Sequence, residues 1–163
     1  RGIWVHKAEY SPTKLRYGER RISDKEYDEL RKHTPSRKIR QKVNENNVIG
    51  ADDPAIPGKK IEGSLEADHI VSMDKIAKME NFDNLSTENQ IKVLNYEENF
   101  TGLSKSSNTS KGAKSYSEWT TYKKENIPIS MEYKAEMMKK ESALEPVLQG
   151  MIDGLLKEQG VKS

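Results

Sequence analysis

Leu65-Glu66-Ala67-Asp68-His69-Ile70 and, further along, Glu98-Asn99-Phe100-Thr101-Gly102-Leu103-Ser104-Lys105-Ser106-Ser107-Asn108-Thr109-Ser110-Lys111-Gly112 are the two segments whose reading decides the fold. An acid beside a histidine, two asparagines nine positions apart and a following lysine form an uncommon set. Residues 60–70 are extended in character and bounded by a turn, which predicts a strand ending at Asp68-His69. Residues 95–99 read as a turn or short strand. A helix is expected to begin near Phe100 or Thr101, to carry Leu103 inward and to run past Asn108.

Outward from that centre, helices dominate. Ser23-Asp24-Lys25-Glu26 has the form of a capping box and predicts a helix to about His33. Thr34-Pro35 then supplies an N-cap with proline at the first helical position. The helix that follows is expected to reach about Asn46, with Ile39 and Val43 inward and Arg37, Lys38, Arg40 and Lys42 outward. Gly50, Pro54, Pro57 and Gly58 mark 47–60 as a loop. Between the two central segments, Met73, Ile76, Ala77 and Met79 fit one or two helical turns. Thr87-Glu88-Asn89-Gln90 predicts a cap for a short helix through Leu94, with Ile91 and Leu94 inside. Residues 142–158 repeat Leu144, Val147, Leu148, Met151, Ile152, Leu155 and Leu156 at spacings of three and four, an amphipathic helix with Gly160 as its C-cap. That stripe reads as core first and as the seat of a partner helix second.

The composition sets limits. Apolar residues make up 33% of the 163 positions and charged residues another 33%. Soluble domains average about 45–50% apolar, glycine included, so a small core under a large solvated surface is expected. No apolar run approaches the roughly 18 residues of a membrane span, and no signal peptide is visible. A chain opening on Arg1 reads as a piece of a longer polypeptide. With no cysteine, neither disulfides nor a thiolate zinc site can support the fold. Charge is uneven: residues 1–60 carry net +6, 61–100 carry −6 and 101–163 carry +2. A basic arm beside an acidic centre suits phosphate binding next to a cation site, and it equally describes an ordinary charged surface. Trp4, Tyr10 and Tyr17 stand among Lys7, Lys14, Arg16, Arg20 and Arg21, a mixture that stacks on bases or packs against the domain.

The central residues also suggest a chemistry. Phosphodiester hydrolysis needs an activated water, a cation at the phosphate and stabilisation of the leaving oxygen. His69, with an ordinary pKa near 6.5, suits the general base. Asp68 and the side-chain carbonyl of Asn108 offer hard oxygen ligands, a set that suits Mg²⁺ completed by water and phosphate. Neighbouring strand residues point to opposite faces, so a strand end or bulge is needed for Asp68 and His69 to serve one centre. Asn99 can support the loop carrying His69 by hydrogen-bonding backbone. Lys111, a turn beyond Asn108, is expected near the metal end, paired with phosphate.

Asp68-His69, Asn99-Phe100-Thr101-Gly102-Leu103 and Asn108-Thr109-Ser110-Lys111-Gly112 together resemble the HNH family of ββα-metal (His-Me finger) endonucleases. The resemblance spans Leu65 to Gly112, under a third of the chain. It implies an α+β, mostly helical fold with a ββα-metal core and added helices at both ends. Residues 1–60 would be a basic helical extension, 61–120 the nuclease core and 121–163 C-terminal helices of the same domain. It implies His69 as catalytic base, Asn99 as the residue that orients it, Asp68 and Asn108 as metal ligands, and Lys105, Lys111 and Lys114 as nucleic-acid contacts. The cofactor is one divalent ion, Mg²⁺ first, with Mn²⁺, Ni²⁺ or Zn²⁺ as alternatives. The flank Ala113-Lys114-Ser115-Tyr116-Ser117-Glu118-Trp119 resembles HNH toxin modules of secreted bacterial polymorphic toxins. That implies DNA as substrate, delivery from the producer to the cytoplasm of a target bacterium, and neutralisation by an acidic immunity protein.

Two departures accompany the resemblance. Ser104 and Ser107 stand where zinc-bound relatives carry cysteines, so only the catalytic metal is expected. Thirty positions separate His69 from Asn99, which makes 73–94 a helical insertion between the strands; were the middle residue elsewhere, Asn84 or Asn95 would take its place. An RNA-cleaving relative and a non-catalytic binding module are the rival readings. His6 and His33 have no comparable surroundings.

Overall fold

A Ser23 hydroxyl accepting from the Glu26 amide, with the Glu26 carboxylate returning to the Ser23 amide, starts the first helix, α1 (Asp24–Arg31). The computed structural model describes residues 17–162, so expectations for Trp4, His6 and the other residues before Tyr17 lie outside it. The remaining order is α2 (Arg37–Val43), β1 (Glu66–His69), α3 (Met73–Ala77), a 3₁₀ turn at Phe82–Asn84, α4 (Thr87–Leu94), a 3₁₀ turn at Glu97–Asn99, β2 (Phe100–Leu103), α5 (Lys105–Lys111), β3 (Thr121–Tyr122), β4 (Ile127–Pro128) and α6 (Met131–Lys162). The protein is α+β, about half helical, with two small antiparallel sheets, β1–β2 and β3–β4.

The described chain forms two compact units of non-consecutive segments. The first takes 17–35, Val71–Tyr96 and the part of α6 from Ser142. Its core joins Tyr27 and Leu30 of α1, Ile76 of α3, Val93 and Leu94 of α4, and Leu148, Met151, Ile152 and Leu155 of α6. The apolar stripe of the C-terminal helix is therefore core. Arg20 lies over the Tyr27 ring at 4.2 Å and donates to Asp74.

The second unit takes Ser36–Ile70 and Glu97–Glu141. Its core includes Ile39, Ile56, Ile61, Leu103, Tyr116, Trp119 and Met137. Asn44, the C-cap of α2, accepts from the Leu65 amide at 2.6 Å and donates to the Leu65 carbonyl at 2.9 Å. A side-chain amide thus pairs with the backbone just ahead of β1.

Several expected boundaries move. The α2 cap is Ser36, whose hydroxyl accepts from the Ile39 amide; the Thr34 hydroxyl instead donates to the Leu94 carbonyl. Ser86, not Thr87, caps α4; Val93 and Leu94 are buried in the core, and Ile91, half-buried, packs against it as expected. Lys60 makes an isolated bridge to Asp52, so β1 begins only at Glu66. Phe100–Leu103 is a strand rather than the start of a helix. Its pairing with β1 occupies those backbone groups, and the Ser104 hydroxyl, accepting from the Ser107 amide, starts α5 beyond them. Gly160 lies within α6, which extends at both ends past the amphipathic stripe. Among the described residues no helix is long and apolar enough to cross a membrane.

Leu148 is fully buried in the first unit. Leu148→Ala should lower unfolding free energy by about 2–5 kcal/mol, read as a reduced urea midpoint at constant slope. An unchanged midpoint would contradict the assignment of α6 to the core.

Candidate active site

The antiparallel pair β1–β2 is followed at once by α5, and all three lie in the second unit. Asp68 stands opposite Thr101 and His69 opposite Phe100 in an uninterrupted register. No bulge intervenes, so alternation sends the Asp68 and His69 side chains to opposite faces. His69 is the last residue of β1, and its ring rests on Phe100 with centroids 4.3 Å apart. His69 thus stands at the strand end rather than at a bulge.

Asp68 is the hub on the other face. Its Oδ2 accepts from the Tyr116 hydroxyl at 2.9 Å and lies 3.4 Å from Lys111 Nζ. Lys111 is buried, with its ammonium also 4.6 Å from the centre of the Tyr116 ring. A desolvated contact of that kind contributes about 2 kcal/mol. Removing one partner of a buried ion pair costs about 3–5 kcal/mol, because the other charge is left uncompensated. Lys111, expected at a phosphate, is thus engaged by Asp68. Asn108, half-buried, lies one turn earlier on α5, a position adjoining Lys111 on the helix surface.

Asn99 is fully buried, and its carbonyl accepts from the Ile70 amide at 2.8 Å. It therefore supports the segment just after His69 through its main chain. Asn84 and Asn95, the alternatives for this role, belong to the first unit, where their amides donate to Asn81 and to the His33 carbonyl. Lys105 and Lys114 are exposed.

Three residues join the site that the sequence reading gave no role. Tyr116 orients Asp68, and Tyr133 meets Tyr116 edge-on at 6.2 Å with its hydroxyl buried. Asp53, also buried, accepts from the Ser104 and Ser107 hydroxyls and from the Ala55 amide at 3.0 Å. The serines standing in place of zinc-ligating cysteines therefore fasten the start of α5 to the 53–56 turn. Trp119 secures the opposite end by donating to Ser110 Oγ at 2.9 Å. Tyr116 lay in a stretch already noted, but Asp53 and Tyr133 carry no motif that marks them; only the fold brings them here.

Among the described residues no three His, Cys, Asp or Glu side chains gather around a common metal position. The donor set to be tested is Asp68 with Asn108. Among the described residues both contacts to Asp68 fall on Oδ2, which leaves Oδ1 as a hard donor. One carboxylate oxygen and one amide oxygen fit a cation that keeps most of its water. The Lys111 ammonium beside them reduces the net negative charge and so weakens cation affinity.

No protein-family model, curated protein or solved structure matches this chain. The α+β class and the arrangement around Asp68 stand on the geometry alone.

Burial, and next the negative charge of Asp68, push the Tyr116 phenol far above its ordinary value; burial does the same to Tyr133. Raised folded-state values mean that this contribution to stability is complete below the unfolded phenol pKa of about 10 and is lost as pH rises beyond it. Absorbance titration should show Tyr116 and Tyr133, two of the seven tyrosines, ionising later than an ordinary phenol, with Tyr27 also raised by burial. Tyr116→Phe should remove one of them. Seven phenols ionising together near pH 10 in a folded protein would refute this picture.

Proposed function

We propose that the protein is a metal-dependent endonuclease of HNH type that hydrolyses DNA phosphodiester bonds. The supporting observation is the sequence of elements β1, β2, α5, with Asp68 against Lys111, Asn108 a turn away and His69 ending β1. In this reading the finer architecture is a ββα-metal core carried in the second unit.

His69 takes the proton from the attacking water, a role general bases fill with gains of about 10²–10⁴-fold. Asp68 and Asn108 would hold one divalent cation, Mg²⁺ first, which when bound supplies charge stabilisation at the phosphate. Tyr116 keeps the Asp68 carboxylate oriented by its hydrogen bond to Oδ2. Asn99 fixes the backbone beyond His69, and Lys111 balances the carboxylate from inside the unit. The biological role we infer is that of a toxin domain delivered into a rival bacterium and held inactive in its producer by an acidic immunity protein. A net charge of +2 and a pI of 8.6 are compatible with both an acidic inhibitor and a polyanionic substrate.

Supercoiled plasmid should be nicked in Mg²⁺, remain intact in EDTA, and be nicked about 10²–10⁴-fold more slowly by His69→Ala. Asp68→Asn should also lower the rate and raise the Mg²⁺ concentration required. Wild-type cleavage by folded His69→Ala would overturn the proposal. Intact plasmid together with metal-dependent degradation of RNA would transfer the same chemistry to the rival substrate.

A further inference from the structure

The second unit contains a groove of about 830 Å³ bounded by α5, the β3–β4 hairpin and residues 60–66. From α5 it takes Lys105, Ser106, Thr109 and Ser110, while Ser107, Asn108 and Lys111 do not line it. At 3.6 residues per turn, these sets occupy different faces of the helix. The groove is therefore separate from the Asp68 cluster and uses the face of α5 turned away from Asn108 and Lys111.

Its charge is distinctive. Five lysines line it, at positions 60, 105, 114, 123 and 124, against the two glutamates Glu62 and Glu66. Lys60 is already paired with Asp52. Lys105, Lys114, Lys123 and Lys124 are exposed and make no ion pair among the described residues. Like charges around one concavity repel each other, and the low-dielectric walls focus their potential outward. Ser106 and Thr109 add neutral hydroxyl donors of the kind that position phosphate oxygens. Lysines supplied by α5, by the segment after it and by the hairpin match the repeated charge of a backbone better than a single anion.

We infer that this groove is an exosite for a polynucleotide backbone, holding DNA at phosphates other than the one that reacts. The inference rests on the nuclease reading for its biological sense but not for its test. Lys105 and Lys114 are thus exosite contacts, joined by Lys123 and Lys124 from the hairpin, whereas Lys111 belongs to the Asp68 cluster.

The test is fluorescence anisotropy of a short labelled DNA duplex over a NaCl series in EDTA, so that cleavage plays no part. Lys105→Gln/Lys114→Gln and Lys123→Gln/Lys124→Gln should each weaken binding and lower the slope of log affinity against log salt by about 2. Circular dichroism should be unchanged, because the substituted side chains are exposed. Lys139→Gln, exposed on α6 and outside the groove, should bind with the wild-type slope. Wild-type slopes in both lysine pairs would overturn the exosite. So would wild-type binding of poly-glutamate in place of DNA that is lost in the lysine pairs, which would assign the groove to an acidic protein surface. Groove-dependent binding with no plasmid cleavage would overturn the nuclease and leave the exosite standing; cleavage without groove-dependent binding would do the reverse.

Discussion

A buried ammonium against a carboxylate, Lys111 on Asp68, is the constraint on which the second unit turns. The pair joins the end of α5 to β1, and the buried ammonium has given up water to make it. Such an arrangement persists only if the surroundings hold it in place. Tyr116 does so twice, through its hydroxyl on Asp68 and its ring beneath Lys111. Tyr116 in turn packs edge-on against Trp119, which is hydrogen-bonded to Ser110 of the same helix. At the other end of α5, Asp53 accepts from two serine hydroxyls. The short helix is thus gripped at both ends by polar groups, and seven residues of weak intrinsic helicity become a fixed platform.

Steric fit constrains the second unit as well as charge. A Cβ on Gly102 would lie 2.8 Å from Leu65 Cδ1 and 3.1 Å from the Val43 carbonyl oxygen. The glycine within Asn99-Phe100-Thr101-Gly102-Leu103 is therefore needed so that α2 and the approach to β1 can close on β2. A residue in a motif stretch can be fixed by packing without touching the chemistry.

The sequence carried the local signals well and the long-range ones poorly. The capping box at Ser23 and the stripe through Leu148 and Ile152 depend on neighbours within a few residues, and both were legible. The strand at Phe100–Leu103 was not, because nothing local distinguishes it from a helix start; its partner lies more than thirty positions back. Thr34 looked like a cap until the Leu94 carbonyl, sixty residues away, claimed its hydroxyl. At the site, Asp68, His69, Asn99, Asn108 and Lys111 were singled out by spacing. Tyr133 and Asp53 could not be, since burial and partners exist only after folding. The hairpin carrying Lys123 and Lys124 was missed for a plainer reason: strands of two residues are too short to show a period.

The interleaving of the two units has a consequence for how the chain reaches its native state. The stretch Val71–Tyr96 leaves the second unit after β1 and returns just before β2. For β1 to find β2, the two ends of that excursion must meet, as the Ile70 amide and Asn99 carbonyl do at 2.8 Å. In an unstructured excursion, closure costs entropy that grows slowly with its length. Once the excursion has folded within the first unit, its ends are already restrained and most of that cost is removed. One unit therefore acts as an internal template for the other through chain connectivity. Destabilising the core around Leu148 should be felt in the β1–β2 ladder, a form of cooperativity written into the order of the segments.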